Sequence, residues 1–403
     1  MGKLISFLKG FFGGKKQRSP FIIEKGVLVK YRSTGDGCVN VPEGVTAIGS
    51  SAFEGCYDIT SVTLPAGLTV IGERAFRGCY MMKSISIPEG VAEIGGSAFF
   101  SCESLESVTL PRSLEKLGSA AFRNCASLTS VNVPDGIRAI GEHTFFRCGS
   151  LTSAVLPERL EKLGTGAFSC CNSLRTMTVP EGVKIIRPEC FENCEGLTSV
   201  KLPSTLMKIC ENAFFQCYRL KSIDIPGGVE KIGSQAFGYC EQADVLRLPE
   251  SAGDIAEDAF RGCKGVTDVY IGDTLIRCQS EVKTWQLIAM MSVIRGGSLS
   301  IADGKGLSGS KTAQLAIGLC RRSSDPEAKA YLRENAGLIY PALIKDSRFE
   351  DMEILLSAEP PADIINEMTE YAISVKAHEM YVVLEKYKET HDGFDLPTDR
   401  FAL

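Results

Sequence analysis

An α+β repeat solenoid with short parallel strands, followed by a small all-α domain, is the fold the sequence predicts, and three observations predict it. Phe53, Phe76, Phe99, Phe122, Phe145, Phe168, Phe191, Phe214, Phe237 and Phe260 follow one another at intervals of 23 residues without an insertion. A cysteine stands three residues after each Phe (Cys56 to Cys263), and a proline stands twelve after it from Pro65 to Pro249, with Gly272 in that place in the last interval. Beyond Gly272 the period stops and apolar residues recur at helical spacing. With 403 residues, 44% of them hydrophobic and 23% charged, the chain can bury a sizeable core, which excludes a disordered or fibrous class.

Taken in chain order, residues 1–20 read as a flexible basic leader. Lys9 interrupts what would be the apolar core of a signal peptide, no A-x-A site follows, and no run of about 20 apolar residues is present to span a membrane. Gly2 with Ser6 fits a myristoylation pattern, which Lys15, Lys16 and Arg18 could reinforce. Residues 21–40 read as a hairpin cap, with Phe21 to Tyr31 as its two arms. Residues 41–272 are the ten coils. In each, the slots of Leu68, Ile71, Ala75, Phe76, Cys79, Met82, Ile85 and Ile87 are apolar and face inward. Stretches such as Leu105 to Leu110 end in period-two alternation, so Ser107 and Thr109 point out from a short strand. A single coil cannot bury its apolar side, so the coils stack and their strands form one parallel sheet.

Residues 273–403 read as a helical C-terminal domain. The predicted helices are Glu281 to Ile294, Lys311 to Arg322, Pro326 to Asn335, Arg348 to Ser357, Pro361 to Ser374 and Ala377 to Tyr387. Short linkers make neighbours antiparallel. In the last, Met380, Val383, Leu384 and Tyr387 form one stripe.

The repeat PAGLTVIGERAFRGCYMMKSISI, which begins at Pro65, resembles the BspA-type leucine-rich repeats, and the likeness extends from about Val41 to Gly272. The resemblance implies a leucine-rich-repeat solenoid, curved and used to hold other proteins or matrix, and the lead-in from Phe21 to Tyr31 is similar to the cap that often opens such arrays. The stretch Phe349 to Leu356, with Tyr371-Ala372 and Val383 to Tyr387, resembles degenerate ankyrin-like helix pairs without their TPLHxA signature. The other reading of those helices is a plug over the open end of the solenoid.

The ten ladder cysteines are expected to be buried and reduced. Like side chains on adjacent coils sit ~4.8 Å apart, wider than the ~3.8 Å between Cβ atoms that a disulfide wants. Cys38, Cys170, Cys190, Cys210, Cys278 and Cys320 are scattered, there is no CxxC, and three histidines are too few to complete a zinc site. So many thiols favour a cytoplasmic location, the alternative being the cell surface or secretion by a non-standard route.

No catalytic constellation is legible, so no enzyme and no cofactor are expected. His143 falls in a slot filled elsewhere by Arg74, Glu189, Asn212 and Gln235, which reads as exposed. His378-Glu379 lacks a second zinc-binding histidine. In Gly304-Lys305-Gly306-Leu307-Ser308-Gly309-Ser310-Lys311-Thr312 an inserted Ser310 throws the lysine off the phosphate-loop pattern, which leaves a loop and a helix start. A net charge of −5 argues against nucleic acid.

The expected function is therefore a non-enzymatic protein-protein interaction scaffold, monomeric, without stable membrane insertion, binding a protein partner through the solenoid; the alternative is a cell-surface adhesin for host or matrix protein. Outward strand positions begin as Ser61/Thr63, Ser84/Ser86 and Ser107/Thr109 and end as Ser199/Lys201, Ser222/Asp224, Val245/Arg247 and Asp268/Tyr270. Because Arg and Tyr are favoured binding anchors, Lys201, Asp224, Arg247 and Tyr270 are the candidate partner-binding residues.

Overall fold

A computed structural model describes residues 19–277, 286–287, 290–291, 293–294, 309–323 and 325–391. The leader to Arg18, Cys278, most of the helix expected from Glu281, and Gly304 to Ser308 of the glycine-rich stretch lie outside the described residues. The chain forms two compact units: one runs to Thr205 and includes Asn212–Cys217, and the other comprises Leu206–Glu211 and the chain from Tyr218 onward.

In the first unit Phe21–Glu24 and Val27–Tyr31 pair as an antiparallel hairpin, turning through Lys25 and Gly26, both at positive φ. Each coil then contributes two short strands, where the sequence suggested one. Three-residue strands such as Ser61–Thr63, Ser84–Ser86 and Ser107–Thr109 pair in parallel, Ser opposite Ser. Two-residue strands such as Val70–Ile71, Glu93–Ile94 and Lys116–Leu117 make a second parallel sheet, which the hairpin joins through Val27 opposite Ala47. The second sheet escaped the sequence because two residues cannot show alternation.

All eight inward slots are buried, from Leu68 to Ile87. The Phe rings stack from coil to coil, with centroids 4.8 Å apart between Phe53 and Phe76 and 5.3 Å between Phe76 and Phe99. Tyr31 closes the stack on Phe53 at 5.1 Å. The cysteines pack beside them as free thiols. Those from Cys79 to Cys217, and Cys263, donate to the carbonyl of the Phe one coil back, as Cys102 does to Phe76 and Cys125 to Phe99, both at 3.2 Å.

The turn around each Phe explains two further features of the repeat. Residues two before and two after Phe are left-handed, for example Arg74 (φ 55°), Ala120 (φ 55°) and His143 (φ 54°), and Ser101 (φ 55°) and Asn124 (φ 60°). Such residues cost roughly 1–2 kcal/mol, but here they direct alternate N–H groups at the next coil. Arg74 N, Phe76 N and Gly78 N donate to Gly96 O, Ala98 O and Phe100 O at 2.9, 2.7 and 2.8 Å. Four residues before Phe the coils approach so closely that a Cβ on Gly118 would lie 2.4 Å from Gly96 N. His143 is half-buried and not exposed as expected: it sits edge-on to Phe146 with ring centroids 5.4 Å apart and lies over Gly166.

In the second unit Ser222–Asp224, Val245–Leu248 and Asp268–Ile271 pair in parallel, and Thr274–Arg277 then folds back antiparallel on Asp268–Ile271. The chain reverses at Gly272, left-handed with φ 55°. This closing strand was not expected; at four residues it is too short to show a pattern. Helices follow as α1 (Gly309–Ser323), α2 (Pro326–Glu334), α3 (Ala336–Lys345), α4 (Phe349–Ser357), α5 (Ala362–Ser374) and α6 (His378–Thr390). α1 packs on the closing strand, with Gly318 against Thr274 and the Gln314 amide bonded to both backbone polar groups of Arg277. α3 was missed in the sequence. Pro341 lies inside it and its residues are largely apolar, which removes the amphipathic stripe that reveals the other helices.

Candidate binding surface

The strand register of the second unit sets Asp224 opposite Arg247 and Arg247 opposite Tyr270. Alternation turns all three outward, and their side chains meet. Arg247 Nη1 donates to Asp224 Oδ1 at 2.8 Å, and the Arg247 guanidinium carbon lies 4.6 Å from the Tyr270 ring centroid. Ser222 Oγ donates to the other carboxylate oxygen of Asp224 at 2.6 Å. The hydrogen bond that Arg247 donates to Asp224 raises the Arg247 pKa above its usual value. Both members of the pair are about half exposed, so the contact adds little stability, but it holds the arginine over the tyrosine ring. Lys201 stands exposed at the end of Ser199–Lys201 in the first unit, opposite Thr178. The structure thus brings three of the four candidates into one contact row and places the fourth in the other unit.

Among the described residues no group of three or more His, Cys, Asp or Glu side chains is placed to hold a metal, and no helix is long and apolar enough to cross a membrane. Gly309 to Thr312 open α1. The densest ionic group of the helical region is structural: Asp351, almost fully buried, is held by Arg321 at 2.6 Å and by Arg348.

One surface feature was missed by sequence reasoning. In the position after the first five ladder Phe residues, the first unit runs Glu54, Arg77, Phe100, Arg123, Phe146. The 23-residue period sets this alternation of cation and ring at one position of successive coils, away from the outward strand positions.

A stacked-coil repeat protein with outward strand residues is the class these observations define. The sequence profile described as the BspA type leucine rich repeat region matches in six copies over residues 37–152, 70–194 and 163–282, and the chain belongs to that family. Similar solved structures include a leucine-rich repeat protein of T. pallidum, 30% identical, matching 48% of this chain and 82% of that one with a TM-score of 0.37. A leucine-rich repeat protein of Bacteroides ovatus is 28% identical over 62% of this chain and 91% of that one, with a TM-score of 0.33. A leucine rich cell surface protein of Faecalibacterium prausnitzii is 24% identical over 62% and 92%, with a TM-score of 0.36. No curated protein matches the chain.

Proposed function

We propose that the protein is a non-enzymatic protein-protein interaction scaffold whose outward strand positions hold a protein partner, with Arg247 and Tyr270 as anchors, Asp224 as the group that orients Arg247, and Lys201 as a further cation in the equivalent slot of its own coil. The observation that carries this reading is the Asp224, Arg247 and Tyr270 contact row. It replaces small hydroxyls with an arginine fixed on an aromatic face, the chemistry of interface anchors. The family supports a binding role in general, and the strand residues supply the specificity. The scaffold acts as a monomer and without a cofactor, and the many free thiols favour a cytoplasmic setting over the cell surface.

The test is affinity capture from native extract of the source cells, with wild type, Arg247→Ala, Tyr270→Ala and, as a control, Thr63→Ala/Ser86→Ala. Proteins held by wild type and the control should be depleted by each anchor variant, with affinity reduced by about 1 kcal/mol or more once a partner is purified. Unchanged capture by both anchor variants would move the site off this row. Cell fractionation separates the cytoplasmic reading from the cell-surface one.

A further inference from the structure

In the first unit, Arg77, Phe100, Arg123 and Phe146 succeed one another from coil to coil in the position after the ladder Phe, and Arg147 stands beside the last. Their guanidinium groups and rings alternate. Arg77 lies 5.3 Å and Arg123 5.8 Å from the Phe100 centroid, while Arg123 lies 4.5 Å and Arg147 5.3 Å from that of Phe146. Arg77 is paired with Glu54 at 3.0 Å. The side chains of Arg123 and Arg147 make no hydrogen bond and no ion pair with any described residue, and the buried Nε of Arg123 has no acceptor. Two neighbouring charges are thus fixed on a ring without neutralisation.

We propose that this flank is a docking surface for an acidic peptide in polyproline II conformation whose carboxylates recur at every third residue. The match is one of charge and of spacing. The ladder rings beside this row are 5.3, 5.1 and 5.7 Å apart from Phe76 to Phe145, wider than the ~4.8 Å of the strands, so Arg77 and Arg123, two coils apart, and likewise Phe100 and Phe146, are separated by roughly 10 Å along the stack, within about 1 Å of one polyproline II turn. A polyproline II segment rises ~3.1 Å per residue with three residues per turn, which returns a side chain to the same face every ~9.3 Å. In an extended strand same-face residues recur every ~6.7 Å and drift out of step. One carboxylate meets the unpaired Arg123 and Arg147 at the rim of Phe146, the next reaches Arg77, and the residues between them lie on the rings, as prolines do in aromatic grooves. A nucleic-acid strand carries a charge every ~3.4 Å and binds through several phosphates at once; the net charge of −5 opposes it.

The surface is separate from the Asp224, Arg247 and Tyr270 row, so the two can fail independently. The probe is a dye-labelled peptide acetyl-Glu-Pro-Pro-Glu-Pro-Pro-Glu-amide, read by fluorescence anisotropy against the full chain, with the same residues in the order Glu-Glu-Glu-Pro-Pro-Pro-Pro as its control. The spaced peptide should bind at least fivefold tighter than the control and weaken with added salt. Arg123→Gln should cost tenfold or more and Arg147→Gln severalfold. Arg147 is exposed, so its variant tests the surface even if Arg123→Gln unfolds. Equal binding of the two peptides, wild-type binding by both flank variants, or preferential binding of a single-stranded oligonucleotide would each overturn the proposal and leave the ladder a purely structural stack.

Discussion

Cys148 has no exposed surface, donates to the Phe122 carbonyl at 3.2 Å, and has its thiol pushed up to about 12 by burial. It is therefore a protonated packing group at any physiological pH, and burial likewise raises its ladder neighbours Cys125 and Cys171 well above the usual thiol value. Cys38 is the opposite case, exposed and held below the usual thiol range by hydrogen bonds from Ser61 and Thr60. Iodoacetamide at mildly alkaline pH should label Cys38 first, with the ladder modified only on unfolding; peptide mass mapping over time checks this, and early labelling of Cys125 would refute it. Glu192 is the residue whose ionisation opposes the fold. Burial raises its carboxyl pKa, the nearby Glu189 adds to this, and a hydrogen bond from Ser169 works against it. The folded state therefore binds this proton more tightly than the unfolded chain. The resulting stabilisation is present below the unfolded pKa and is lost as pH rises through the folded one. Glu192→Gln should raise the melting temperature near neutrality and give no gain below the carboxylate range. A pH series of thermal melts would show the difference.

At the scale of the coil, glycines of identical chemistry have different duties. A Cβ on Gly118 would meet Gly96 N and Gly95 C at 2.4 and 2.6 Å, whereas Gly149 has nothing within 4 Å and no positive φ. Gly118→Ala should cost about 1–3 kcal/mol, the scale of overpacking, and Gly149→Ala should be nearly neutral or slightly stabilising. Denaturant titrations of the two would settle the contrast. This periodicity is also why so much was legible beforehand. The Phe, Cys and inward aliphatic slots repeat without slippage, so their burial could be read from any one coil, and the outward row ending in Arg247 and Tyr270 followed by counting. What escaped was aperiodic or too short: the strand Thr274–Arg277, helix α3 with Pro341 inside it, and the half-buried setting of His143, which depends on the lack of a side chain at Gly166 one coil away. The Arg77, Phe100, Arg123 and Phe146 alternation was visible in the letters, but which rings and guanidinium groups touch is a matter of side-chain direction. No count of residues supplies that.

At the scale of the chain, a repeat array must finish somewhere, and its last strand offers unpaired N–H and C=O groups to any passing strand. Here Thr274–Arg277 pairs with Asp268–Ile271, Gln314 bonds both backbone polar groups of Arg277, and α1 packs on the closing strand. A chain ending at Gly272 loses all three devices and should melt lower and aggregate with rising concentration, as calorimetry and light scattering would record. An unchanged melting temperature would show that the last parallel strand needs no partner. The 23-residue coil has a different bearing on the history of the gene. Around the ladder Phe, backbone N–H groups of the first unit donate to the next coil at the same position coil after coil, as Phe76, Phe99, Phe122 and Phe145 do. Misaligned recombination that removes or duplicates one whole period therefore keeps these bonds in register, while any other length shifts the Phe stack out of step. Descent within this lineage can lengthen or shorten the reach of the protein by whole coils, leaving the chemistry of each flank to be rewritten one coil at a time.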